Sequence, residues 1–167
     1  MLRPIRNNKI AEFSANKNLF SILFLAALFL VGLFISFYDG LRGSAGYLAL
    51  WGVSYLIIYA GTCRYCVYYG KKCPIPLEGS CVHRFFEKKD SGFGWIQLVW
   101  ATVVYLLRIL VPAVIIIHDE LLIWGLLYVA VLSLFWIVHL RFTGCPNCIN
   151  RDCPLNPDYN HGNISGQ

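Results

Sequence analysis

Four stretches of the chain carry almost no charge, and each has the length of a membrane crossing. Asn18 to Tyr38 and Gly43 to Cys63 are 21 residues each, Phe93 to Ile117 is 25 with the single charge Arg108, and Leu121 to Leu140 is 20. A helix needs about 20 mainly apolar residues to span the hydrocarbon core, and in lipid only a helix or closed barrel satisfies its own backbone. Hydrophobic residues make up 57% of the 167 positions and charged ones only 14%, against about 25% charged in a soluble domain. So small a fold cannot hide that much apolar surface from water. The sequence therefore predicts an all-α membrane protein with four transmembrane helices, and it excludes a disordered, collagen-like or soluble enzymatic chain.

The connections predict how the helices pair. The first two join through Asp39-Gly40-Leu41-Arg42 and the last two through His118-Asp119-Glu120. Such tight turns imply two antiparallel hairpins, over 18–63 and 93–140. Around them lie a basic N-terminus (1–17), a polar loop (64–92) and a polar tail (141–167). Arg3, Arg6, Lys9, Lys17, Arg64, Lys71, Lys72, Arg84, Lys88, Lys89, Arg141 and Arg151 all fall on one side, and only Arg42 on the other. By the positive-inside rule that side is the cytoplasm, so both termini, the loop and the tail are expected there, in an integral protein of a prokaryotic plasma membrane. The first apolar run is too long for a signal-peptide core and lacks a small-residue cleavage pattern. Asn163-Ile164-Ser165 matches a glycosylation sequon, but on the cytoplasmic side it is a chance match. The net charge of +5 is explained by membrane orientation, without a nucleic-acid partner.

All seven cysteines fall in the loop and tail or at their edges. After the second span the chain reads Cys63-Arg-Tyr-Cys66, a spacer, then Cys73-Pro74-Ile-Pro76; after the fourth it reads Cys145-Pro-Asn-Cys148, a shorter spacer, then Cys153-Pro154-Leu-Asn-Pro157. The match suggests an internal repeat of helix, turn, helix and cysteine motif. In a reducing compartment this spacing points to metal binding or redox chemistry rather than disulfides. Thiolate ligands favour zinc or an iron–sulfur cluster over hard cations, and Cys-Pro is an ending seen in iron–sulfur runs. Segments this short usually need a metal or crosslink to become ordered.

The loop offers four ligands, Cys63, Cys66, Cys73 and Cys81. The tail offers three, Cys145, Cys148 and Cys153, with His83, His139 and His161 as possible additions. The spacing leaves open whether each segment closes its own site or the two pairs share one. Palmitoylation of Cys63, Cys66 and Cys145 would leave the matched third cysteine unexplained, and thiol–disulfide exchange remains an alternative.

Arg108 falls near the bilayer midplane, where a charge is costly and marks a functional site by default. The spans contain no Asp or Glu, so the expected partners at matched depth are Trp51, Ser54 and Tyr128. The candidate ligand is a lipid head group or a quinone carbonyl. The competing reading is a helix-gluing or snorkelling Arg beside the Pro112 kink.

Cys63-Arg-Tyr-Cys66-Val-Tyr-Tyr-Gly70 and Cys145-Pro-Asn-Cys148 leading to Cys153-Pro-Leu-Asn156 resemble motifs of small prokaryotic membrane proteins of unknown function, a likeness that carries no activity. In layout the chain is also similar to membrane electron-transfer proteins of nitrous-oxide and nitrate reductase maturation. It departs from them in having Cys-x2-Cys rather than Cys-x3-Cys-Pro, and in lacking a two-cluster ferredoxin domain. Protein palmitoyltransferases share a cysteine-rich loop between helices, but their Asp-His-His-Cys signature is missing.

With no catalytic constellation in the sequence, the expectation is a redox subunit rather than an enzyme alone. One or two cysteine-ligated centres, iron–sulfur or zinc, would relay electrons to a membrane redox partner or quinone. The alternatives are a zinc-stabilised adaptor without catalysis and a thiol-redox or metal-handling protein.

Overall fold

Helices α1 (Leu19–Phe37), α2 (Gly40–Gly61), α4 (Trp95–His118) and α5 (Leu122–Val138) form a four-helix bundle, seen in a computed structural model that describes residues 9–14, 16, 18–75 and 77–159. The four are long and apolar enough to cross a membrane. Their outward faces expose large apolar side chains such as Leu23, Leu30, Ile96, Leu106, Ile123 and Leu126. Water would make that surface an aggregation site; hydrocarbon is its natural solvent. Arg42 lies in the first turn of α2, which starts at Gly40, three residues before the uncharged run.

Small residues let the helices approach closely, as expected where lipid gives no hydrophobic drive for association. Gly32 of α1 faces the fully buried Tyr47 of α2. Ser36 satisfies its hydroxyl by donating to the Gly32 carbonyl at 2.8 Å. Phe29, Tyr47 and Trp51 form an aromatic layer between α1 and α2, with Phe29 and Trp51 edge to face at 5.0 Å. The α4–α5 pair packs more against α1 and α2 than against itself.

The long loop does not hang free of the bundle. After a 3₁₀ turn at Cys63–Tyr65 it doubles back through the short helix α3 (Glu78–Cys81), and Val82 is fully buried against Ile58, Tyr59 and Val104. Tyr59 donates to the Leu77 carbonyl at 3.0 Å and Tyr69 to that of Phe86 at 2.7 Å. Gly79 is required at the fold-back: a Cβ there would stand 2.5 Å from the Lys71 carbonyl and 2.7 Å from that of Tyr68. Leu77, just before α3, takes a left-handed backbone at φ 68°, a strained choice for a branched residue.

An N-terminal strap ties loop to tail. Ile10 bridges Cys148 in parallel, and the Phe13 amide donates to the Lys72 carbonyl at 3.0 Å. Asn18 donates to the Cys73 carbonyl at 2.9 Å, and Lys9 to that of Cys148 at 3.1 Å. Loop, tail and strap thus share one hydrogen-bonded module, which is why segments too short to fold alone are ordered together.

Candidate functional site

The two Cys-x2-Cys motifs fold into the same turn. In each, a 3₁₀ turn spans the first three residues, Cys63–Tyr65 and Cys145–Asn147, and the second cysteine is extended. The amides of Cys66 and Cys148 donate to the carbonyls of Cys63 and Cys145, at 3.1 and 3.3 Å. One residue earlier, the amides of Tyr65 and Asn147 donate to Thr62 and Gly144, both at 3.2 Å. Such turns bring both sulfurs of a pair to one side, as soft-metal ligation requires.

Six of the seven cysteines line one cavity of about 180 Å³: Cys63, Cys66 and Cys73 from the loop, and Cys145, Cys148 and Cys153 from the tail. Backbone amides point at several of these sulfurs. Asn150 N–H donates to Cys148 Sγ and Gly79 N–H to Cys73 Sγ, both at 3.4 Å, and the Tyr68 amide serves Cys66 in the same way. Asn150 crosses between the halves, its Nδ2 lying 3.7 Å from Cys66 Sγ. Such N–H donors compensate sulfur charge and tune a bound centre.

Without a cation, burial holds these thiols neutral. The Cys66 thiol is pushed up to about 12, by burial first and then by Cys148 and Cys153 across the cavity. Cys73, Cys148 and Cys153 are raised as well, again chiefly by burial. Buried, protonated thiols are poor nucleophiles, whereas a soft cation displaces the protons and uses the thiolates as ligands. Among the described residues, no three Cys, His, Asp or Glu side chains stand close enough together to share one ion.

Cys81 stands apart from the other six. It packs against the cluster of Ile58, Tyr59, Cys63 and Val82, with its Sγ 3.9 Å from Ser80 Oγ, and it does not line the cavity that the other three loop cysteines share with the tail. α3 turns Cys81 toward α2 as the loop doubles back. His83 is exposed on the next turn, and His161 lies outside the described residues, as does the Asn163 sequon. His139 lines the cavity, buried, and its Nδ1 has no hydrogen-bond partner among the described residues. A π-helical turn at His139–Thr143 carries it, the kind of irregularity found often at functional sites. The Gly144 backbone lies flat against its ring, where a Cβ would meet Nε2 at 2.5 Å.

Deeper in the bundle, Arg108 is 3% exposed. Its Nε donates to Ser54 Oγ at 2.6 Å, and its guanidinium lies over the rings of Trp51 and Tyr55, both at 4.5 Å, and of Tyr105 at 5.1 Å. Nη1 and Nη2 are buried without hydrogen-bond partners among the described residues, beside a void of about 10 Å³, room for roughly one water. Pro112 cannot donate to the Arg108 carbonyl, which frees that carbonyl too. Trp51 and Ser54 therefore meet Arg108, but Tyr128 does not; it packs with Leu28, Ile35 and Ile115.

An acidic side chain from the loop also reaches this region. Glu78 is carried into the bundle by α3, 7% exposed, and accepts a hydrogen bond from Tyr105. It lines the cysteine cavity on one side and feels Arg108 on the other. Burial raises its carboxyl to about 7, against the opposing pull of Tyr105 and Arg108. The sequence signal that could have found it is a lone acid in an apolar stretch, Ile75-Pro76-Leu77-Glu78-Gly79, following Cys-Pro.

Fold and site together define a class: a four-helix bundle of membrane-crossing length whose polar end holds a thiol-lined cavity backed by a buried Arg–Tyr–Glu set. Comparison with known protein families, with curated proteins and with solved structures finds no match in any of the three.

Proposed function

We propose that the protein is an electron-transfer subunit of a plasma membrane, with two helical hairpins and a cytoplasmic loop and tail that hold an iron–sulfur cluster in the six-cysteine cavity. The observation that carries this reading is the convergence of both cysteine motifs, 82 positions apart, on one cavity with backbone N–H groups aimed at the sulfurs. Four of the six thiols suffice for a cluster, and the soft donor set fits one. A zinc ion needs its donors gathered about a single point at about 2.0–2.3 Å. A cluster spreads its thiolates over several irons, which suits sulfurs distributed around a cavity wall. When bound, such a group supplies one-electron transfer. The chain's own residues bind it, screen its charge with amides, and exclude water from it with Tyr68 and Tyr105. The electron partner is a membrane protein or a quinone.

Anaerobic purification tests this reading. Brown protein with iron and broad visible absorption, both lost in Cys66→Ser, is the expected result. Colourless protein with stoichiometric zinc would replace it with the zinc-stabilised adaptor. Impermeant thiol labelling that reached Cys66 or Cys148 from outside intact cells would overturn the cytoplasmic placement.

A further inference from the structure

The walls of the cavity differ in how far they are covered. Toward the polar end, Tyr68 forms part of its wall and is itself covered. Its hydroxyl donates to the Ile10 carbonyl at 2.6 Å and accepts from the Ile149 amide at 3.2 Å, and the buried Phe13 packs on its ring at 5.9 Å. Toward the bundle the lining changes from sulfur to Leu98, Ala101 and Thr102 on α4, Trp136 on α5 and Leu140 on the π-helical turn that follows it.

The helices themselves explain the gap. At their turn α4 and α5 nearly touch, since a Cβ on Gly125 would stand 2.8 Å from Ile116 Cγ2. At the other end Tyr105 and Trp136 bridge them edge to face at 6.1 Å. Beyond these two rings Thr102 and Leu140 line the cavity from the two sides, and both are exposed on its rim. Both lie within segments of membrane-crossing length, so what they face is the bilayer.

We infer that the cavity is entered from the bilayer, between the polar-end halves of α4 and α5, by a lipid-dissolved molecule with a flat ring for a head. Aromatic walls at Tyr105 and Trp136 favour a ring. His139 Nδ1 and Asn150 Oδ1, buried and without hydrogen-bond partners among the described residues, call for a polar substituent on it, the pattern of an apolar pocket with few convergent polar groups. Of the exposed lining residues, Thr102 and Leu140 lie in membrane-crossing segments and Leu155 of the tail is apolar, so a lipid-dissolved ligand is favoured over a water-soluble one of the same shape. The inference rests on the proposed function only in taking this cavity as the working site; it does not depend on which metal, if any, is bound.

Photo-crosslinking of the full-length protein in phospholipid nanodiscs tests it. The probes are benzophenone on an alkyl chain, dissolved in the bilayer, and a sulfonated benzophenone confined to water. Crosslinks of the alkyl probe should fall on Leu98, Thr102 or Trp136 and saturate, dropping by about tenfold when Ala101→Trp fills the rim. Val103→Trp, on an outward face of α4, should leave them unchanged, and Thr102→Trp serves if Ala101→Trp does not fold. Unsaturable crosslinking spread evenly over the faces of α4 would overturn the inference, as would equal reach by the sulfonated probe. Iron and zinc measured in the same sample judge the metal reading separately.

Discussion

The two cysteine turns share a backbone and differ in what surrounds them. The loop turn is backed by a segment that folds into the bundle, bringing Cys73, Gly79 and Glu78. The tail turn follows a helix that never bends back, and it receives His139 from a π-helical turn instead. The presenting geometry is thus local and repeatable, while the groups that complete each half depend on tertiary packing. The difference teaches that a sequence repeat can reproduce a ligand pair without reproducing its neighbours.

The largest effect expected from breaking this equivalence is on metal content. Cys66→Ser and Cys148→Ser occupy matching places in the two turns and should each bring bound iron or zinc to background. Cys81→Ser, with no counterpart in the tail and a sulfur outside the cavity, should leave it at the wild-type level. Elemental analysis of the three purified variants decides this, and equal loss in Cys81→Ser would contradict the single-cavity arrangement.

Glu78 marks the deepest asymmetry, because the tail carries no acid into the bundle at the corresponding place. Arg108→Leu removes the cation whose charge favours that carboxylate, together with its hydrogen bond to Ser54 and its stacking on Trp51 and Tyr55, and should cost about 1–3 kcal/mol. Combining it with Glu78→Gln should recover part of that loss in a double-mutant cycle. The carboxyl also imposes a pH dependence. Its pKa is raised in the fold from 4.5 to about 7, so between those values the folded chain holds a proton that the unfolded chain has lost. The contribution of Glu78 to stability is then greatest below pH 4.5 and is lost as pH rises through 7, by about 3 kcal/mol in all. Thermal unfolding of both proteins in nanodiscs should show the stability difference between wild type and Glu78→Gln falling with that slope as pH rises.

These residues also show where reading the sequence stops. The four spans were legible because lipid demands about 20 uncharged residues in a row, a signal no tertiary context overrides. The paired motifs were legible because local spacing builds the turn. Glu78 and Cys81 were not, since both depend on a loop doubling back around Gly79, a contact between residues eight to eleven apart in sequence with Lys71 and Tyr68. Short polar spacing gave Cys81 the look of a fourth ligand, but α3 turned it toward Tyr59. Trp51 and Ser54 were found by counting depth along the spans. The same counting brought in Tyr128, whose rotation about its helix axis depth alone does not fix.

Glycine substitutions sharpen the comparison on a smaller scale. Gly79→Ala in the loop half meets two backbone carbonyls, which cannot move without unwinding the fold-back. Gly144→Ala in the tail half meets the His139 ring, which can swing toward the cavity. Overpacking of this kind costs about 1–3 kcal/mol, with Gly79→Ala expected at the upper end and Gly144→Ala at the lower. Melting temperatures of the two variants, taken side by side, give the order directly.

The smallest effect belongs to the strap, which touches both halves with different chemistry. Asn18 is buried and donates to the Cys73 carbonyl on the loop side. Lys9 reaches the tail through the Cys148 carbonyl and pairs with Asp158, both side chains partly solvated. A buried neutral hydrogen bond contributes about 1 kcal/mol and leaves a penalty when one partner is removed; a solvated ion pair contributes about 0.2–1 kcal/mol and weakens with salt. Asn18→Ala should therefore destabilise the protein by about 1 kcal/mol at any ionic strength. Lys9→Ala should cost less than that at low salt and about half as much at 0.5 M salt, where screening has removed most of the pair. Should the two losses respond to salt alike, the strap grips both halves by the same means, and the contrast between them ends at the turns themselves.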